Sequence, residues 1–270
     1  MKEFYAEIKK HIRIYLLFVK TSLIAELEYR VNFILGIVVE CAYLATKLLY
    51  VFIVYSNGSD VSGLSPDQVM LFIGTFMILT AIYTGFFMVN FNYISWRITR
   101  GELDMLIVKP VSLQFHTTMR YVIITIPIPN IIAGVILVST AWRRMGLSVG
   151  FGNILLYMGL ILSGTVLTYS LFLTPHILSF WTVKSNSLID IADRLWDFNS
   201  MPMQIYNKWL QRVCMFVIPV FIITNFPVMA LFDTLPPFYL IWGLLIPLAV
   251  FLLVRRFWNH AVKRYSSAGG

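Results

Sequence analysis

Apolar residues fall in long runs along this chain, from Val31 to Tyr55, Val69 to Phe91, Met119 to Trp142, Gly152 to Trp181, Val213 to Phe232 and Phe238 to Val254. A helix needs about 18 or more such residues to cross the hydrocarbon core of a bilayer. The runs lack the strict apolar/polar alternation of a lipid-facing barrel, and helices satisfy their own backbone hydrogen bonds in lipid, so each run predicts a helix. The expected fold class is an all-α polytopic membrane protein with six transmembrane helices, forming a single domain over residues 1–270. Before the first run, Phe4, Ile8, Ile12, Tyr15 and Val19 recur at helical spacing, with Lys9, Lys10 and Arg13 elsewhere on the wheel. That pattern predicts a helix lying in the membrane interface over residues 1–30, serving either as a simple anchor or as a docking element. The terminal "SSAGG" reads as a frayed tail.

Composition agrees with this pattern: 59% of the 270 residues are hydrophobic and only 13% charged, where soluble domains run near a quarter. No short apolar core followed by small residues marks a cleavable signal in the charged first thirty positions. Cys41 and Cys214 lie in separate apolar runs, which makes them packing residues rather than a disulfide framework or a metal pair.

The net charge of +8 is distributed unevenly. Lys2, Lys9, Lys10, Arg13, Lys20 and Arg30 precede the first run; Arg97, Arg100, Lys109 and Arg120 separate the second from the third; Arg255, Arg256, Lys263 and Arg264 follow the last. The loop from Ser56 to Pro66 has no basic residue, and the loop after the third run has only Arg143 and Arg144. Positive residues favour the cytoplasmic side, so both termini and the connection "TRGELD" are expected there. Topology and anionic lipid account for the basic excess, without nucleic acid.

Catalytic signatures are missing. The chain has no G-x-x-x-x-G-K-[ST] phosphate loop, no H-E-x-x-H and no G-x-S-x-G, and its four histidines are scattered. Asp190, Asp193 and Asp197 are spaced to share one helical face, which leaves open a metal-dependent membrane enzyme, although Arg194 among them would repel a cation. A secondary transporter is a further alternative, without an inverted repeat to support it.

The stretch "ITRGELDMLIVKPVS", Ile98 to Ser112, packs charges, a glycine and a proline between two greasy segments. Gly101 permits a turn, Glu102 and Asp104 favour the positive end of a helix, and Pro110 stops it. Leu103, Leu106 and Ile107 are expected to form its apolar face. By composition alone this is an ordinary positive-inside loop or a docking helix.

"RGELDMLIVKPVS", together with "SLIAELEYRVNFILG", "FWTVKSNSLIDI" and "FVIPVFIITNFPVMAL", resembles the permease subunits of ABC transporters of the type-2 exporter class, over nearly the whole chain. The resemblance implies that residues 92–116 hold the coupling helix, with Arg97, Arg100, Gly101, Glu102, Leu103, Asp104, Lys109 and Pro110 meeting a separate ATPase. It further implies two copies of that ATPase carrying ATP and Mg, no cofactor in this chain, and a second permease, identical or related. Such a complex sits in the plasma (inner) membrane of a prokaryote and exports a hydrophobic or amphipathic compound.

The fifth crossing has two placements. Hydropathy gives 213–232, yet Pro219, Asn225 and Pro227 interrupt it, and proline in a helix interior costs about 3 kcal/mol. The resemblance instead implies a re-entrant outer hairpin over 207–232, with the crossing at 186–206. In the second placement Asp190, Asp193, Arg194 and Asp197 become intramembrane groups that should face protein or water, with Asp190 paired to Arg194 at i, i+4. Glu40, near the middle of the first run, is another interior candidate, whereas Lys47 is expected to snorkel to the outer headgroups.

Overall fold

The computed structural model describes residues 2–58, 60–147, 150–182, 186–232 and 234–265. The tail at 266–270 and the side chain of Phe4 lie outside the described residues. Twelve α-helices follow one another, with no strand among the described residues. The first two are α1 (Lys2–Glu28) and α2 (Arg30–Asn57), separated at Tyr29, where the backbone leaves helical angles. Gly58 closes α2 at φ +58°, a left-handed position that suits glycine. Ser65 and Gln68 form a reciprocal capping box at the start of α3 (Pro66–Ile82), with Pro66 in the first turn.

A π-helical turn, Tyr83–Met88, joins α3 to α4 (Val89–Thr99) in one long stave. The turn frees the Gly85 carbonyl, which accepts from Ile123 N–H at 2.9 Å. Two short helices follow, α5 (Leu103–Ile107) and α6 (Leu113–Met119), then α7 (Pro127–Arg144) and α8 (Phe151–Ile177). The last third comprises α9 (Asn186–Asp197), α10 (Lys208–Arg212) running into a π turn at Val213–Val217, α11 (Phe221–Leu231) and α12 (Pro237–Val262).

Among the described residues four helical stretches are long and apolar enough to cross a membrane: Arg30–Asn57, Pro66–Thr99, Phe151–Phe180 and Pro237–Val262. The pair Lys208–Val217 and Phe221–Leu231 adds a fifth only if it is one span, and it bends by 104°. Of the two placements, a straight crossing over 213–232 does not form: the segment turns a sharp corner, where Pro219 has no N–H to continue a ladder. Within the α3–α4 stave 72% of the most apolar window is buried, against 11% in α2, so the stave is the core and α2 a peripheral element.

The third apolar run also departs from expectation. Its helix begins only at Pro127, leaving residues 120–126 non-helical. Pro127 and Pro129, which lack N–H groups, sit in the first turn of α7, where no ladder bond from those positions is lost.

Helix α12 runs parallel to α8: Ser163 donates to the Gly243 carbonyl, Tyr169 packs on Phe251, and Phe180 packs on Trp258. Two parallel neighbours require the intervening chain, 181–236, to return to the end from which α8 started. The return begins with α9, whose Trp196 reaches Phe172, Tyr83 and Phe76, and Asn225 of α11 holds Met203 N–H at 2.9 Å.

Small residues allow the closest approaches. A Cβ on Gly134 would lie 2.8 Å from the Gly74 carbonyl oxygen, and one on Gly74 would lie 2.9 Å from the Gly134 oxygen. Backbone cannot yield as a flexible side chain does, and membrane helices rely on such contacts in place of a hydrophobic drive. Gly134→Ala is expected to cost about 1–3 kcal/mol, lowering the melting temperature in detergent. Gly159→Ala, whose Cβ would meet nothing within 4 Å, should leave it unchanged.

Candidate functional site

The turn between α4 and α6 is built from both directions. Glu102 N–H bonds the Arg97 carbonyl at 3.0 Å, Gly101 takes φ +70°, and Asp104 N–H bonds the Gly101 carbonyl at 3.3 Å. Leu103 and Leu106 of α5 are buried and fasten the helix to the bundle. Ile107 points outward instead, with Met105 and Val108, which are 76% and 82% exposed. The expected apolar face is thus divided into two anchors and an exposed apolar knob. Met105 and Val108 were missed because a five-residue helix is too short for periodicity to separate inner from outer positions.

The charged members of the turn take different places. Arg100 is exposed and lies 4.3 Å over the Trp96 ring, while Lys109 and Pro110 are exposed and Glu102 is half-buried. Arg97 is buried between the rings of Tyr93 and Tyr121 at 5.8 and 5.5 Å, with Nη1 lacking a hydrogen-bond partner. It therefore braces the turn from within. Asp104 is exposed beside Tyr265, just past α12, and burial together with this carboxylate raises the Tyr265 phenol above its ordinary pKa.

Helix α6 ties the turn to the rest of the molecule. Gln114 donates to the Tyr169 hydroxyl of α8 at 3.0 Å and accepts from Arg255 of α12 at 2.8 Å. Phe115 stacks on Phe18 of α1, and Phe18 meets the edge of His116. Beyond α6, Arg120 donates to Thr21 at 3.0 Å, Val122 N–H to Ser22 at 3.2 Å, and Ile124 N–H to the Glu26 carboxylate at 3.1 Å. The N-terminal helix thus docks on α6 and on residues 120–124, while Ile12, Leu16 and Leu17 remain exposed along it.

The second group of expected residues gathers elsewhere. Asp190, Asp193, Arg194 and Asp197 line a cavity of about 450 Å³ together with Trp196 and with Tyr83, Thr84 and Met88 of the π turn and its edge. All four charged side chains are exposed in the chain, and no ion pair joins Asp190 to Arg194. The i, i+4 pairing is thus absent: water-facing charges gain little by holding each other. Among the described residues no three His, Cys, Asp or Glu side chains are grouped to hold a metal, so the carboxylate stripe offers no ligand set for the metal-enzyme alternative.

Glu40 is not at this cavity. It accepts a hydrogen bond from Asn130 Nδ2 of α7, fastening α2 to the bundle. Lys47 is half-buried and places its ammonium 5.1 Å from the Phe76 ring centroid. Arg144 instead meets Asp67 at 3.4 Å and the Tyr55 ring at 5.1 Å, which employs one of the two arginines in the last turn of α7.

The described residues thus form a bundle of apolar helices that carries an exposed turn and a cavity lined by exposed charged side chains. The sequence model of the ABC-2 family transporter protein family matches residues 41–269, and the chain belongs to that family. Members of this family are multi-pass membrane components of ABC transporters and associate in general with an ABC ATPase. No curated protein and no solved structure matches the chain.

His116 gives this region a pH dependence. Burial, followed by the nearby charges of Lys109, Arg97 and Arg120, lowers its pKa from 6.5 to about 4. A depressed folded-state pKa contributes stability at neutral pH that is lost as pH falls from about 6.5 toward about 4, because the unfolded chain binds the proton first. The melting temperature in detergent should therefore drop between pH 7 and pH 5, and His116→Met should show a smaller drop.

Proposed function

We propose that this chain is the permease half of an ATP-driven exporter. It pairs with a second permease, identical or related, and with two ATPase subunits that bind ATP and Mg. The knob formed by Met105, Ile107 and Val108 carries this reading. It is a compact apolar tip, ringed by Arg100, Glu102, Asp104 and Lys109, that is anchored inward by Leu103 and Leu106 and fits a groove on a soluble partner. Family membership supports an ATPase as that partner.

In this reading six passages cross the prokaryotic plasma membrane: α2, the α3–α4 stave, α7, α8, the segment 186–206 and α12. The bent pair at 207–232 forms a re-entrant hairpin on the outer side. The parallel course of α8 and α12 supports the fifth passage, since one net return is required between them. Both termini and the α5 turn then share the cytoplasmic side, in keeping with the fourteen basic residues at Lys2 to Arg30, Arg97 to Arg120 and Arg255 to Arg264. Closure of the ATPases would press the turn, and α6 would pass that displacement to α1, α8 and α12. A hydrophobic or amphipathic compound would move from the cytoplasm or inner leaflet to the outside, along a route that includes the charged cavity.

Co-purification with the partner ABC ATPase tests the contact. Met105→Glu combined with Val108→Glu should weaken retention at least about tenfold, equivalent to about 1.4 kcal/mol, with insertion and melting temperature preserved. Glu102→Lys with Asp104→Lys should also impair it by reversing the rim charge. Undiminished retention and ATP turnover in both variants would remove the turn from the interface.

Sidedness is tested by single cysteines in a background lacking Cys41 and Cys214. Asp60→Cys should react with an impermeant thiol reagent from outside, and Ser112→Cys only after permeabilisation. The opposite pattern would invert the topology.

A further inference from the structure

The geometry points to the cavity between the π turn and α9 as a binding site for bulky organic cations, the substrate class of the proposed permease and an inference that rests on that reading. Three observations converge there. Asp190, Asp193 and Asp197 face the cavity with Arg194 as the single opposing charge, leaving two net negative charges. Among the described residues none of the four forms an ion pair.

The second observation is Tyr83. This residue is only 4% exposed and lines the cavity, yet its hydroxyl makes no hydrogen bond among the described residues. The ring is enclosed but the hydroxyl opens onto the cavity, where a ligand or its bound water can reach it. The π turn that carries Tyr83 is a distortion of the kind that recurs at functional sites.

The third is the aromatic wall. Trp196 and Tyr83, 4.6 Å apart ring centroid to ring centroid, line the cavity, and Phe172 and Phe76 back Trp196 from the core at 5.3 and 5.9 Å. Ring faces attract cations, and the Lys47 ammonium over Phe76 already makes such a contact at the edge of the cluster.

Aromatic walls combined with unpaired carboxylates select one chemistry. An anion would meet net negative charge, and a neutral compound would gain nothing from it. A small hydrated metal ion would need converging oxygen ligands, which the described residues do not group. A large, weakly hydrated cation gains from both the rings and the charge, and about 450 Å³ is within the range of small-molecule sites.

Binding of radiolabelled tetraphenylphosphonium to the purified full-length chain, without nucleotide, tests this, with tetraphenylborate as a size-matched anion. The cation should bind saturably and tetraphenylborate should compete at least about tenfold less well. Asp193→Asn should weaken binding about tenfold, Asp193→Glu should retain it, and Arg194→Gln should tighten it. Melting curves exclude variants that fail to fold, in which case Asp197→Asn provides the same comparison. Equal binding of both ions, or a cation affinity unmoved by removal of a carboxylate, overturns the site. ATP-driven turnover with the partner ATPase but no tetraphenylphosphonium binding would defeat the cation site alone. Binding that follows the carboxylates, with no ATP-driven movement of the cation into vesicles, would uphold the site and defeat the permease reading.

Discussion

In apolar surroundings every backbone N–H and C=O needs a partner from protein, and the arrangement of this molecule depends on how residues 120–126 meet that demand. The segment leaves helical geometry between α6 and α7, so its groups are paired from outside. Asn90 serves Tyr121 on both sides, accepting from its N–H at 2.8 Å and donating to its carbonyl at 2.7 Å. Ser22 takes Val122 N–H, Gly85 takes Ile123 N–H, and Glu26 takes Ile124 N–H. Four partners from α1, the π turn and α4 are thereby locked onto one stretch of chain.

That lock has mechanical consequences. A rigid α6 follows the exposed turn, the non-helical stretch follows α6, and the N-terminal helix is fastened to both. Glu26 and Glu40 look alike in sequence as acidic residues beside or within an apolar run, yet both serve as clasps. The first holds the start of α7 and the second holds Asn130 one turn further on. Neither needs a transported ligand to explain it. The carboxylates of α9 differ, because they face open space and have no such partner.

The parallel pair α8 and α12 sets the other constraint. It obliges the chain between them to return, and the return is made by a short helix, irregular turns and a corner rather than by one continuous span. Discontinuous backbone is tolerable there because α9 and α11 pack on α3 and α8, with Asn225 supplying an acceptor to Met203. The same discontinuity opens the charged cavity beside the π turn. A straight apolar helix in that place would have had no reason to carry three aspartates.

The apolar runs by themselves determined the solvent, the helical class and four of the long helices, because the length and hydropathy of a run are local quantities. Pro219 and Pro227 likewise foretold a break in 213–232, since a missing N–H acts wherever the chain goes. The turn at Gly101 and the stop at Pro110 were legible for the same reason. Three matters were decided only in the tertiary structure. Hydropathy cannot register that Tyr121 to Ile126 forgo helix, because the partners that make this tolerable, Ser22, Glu26, Gly85 and Asn90, are far away in sequence. Which of Leu103, Met105, Leu106, Ile107 and Val108 faced inward depended on where the bundle lay, since five consecutive positions present every side of a helix. That Asp190, Asp193, Arg194 and Asp197 meet Tyr83 rather than one another followed from the packing of α9 against a π turn a hundred residues away, a distance over which periodicity carries no information.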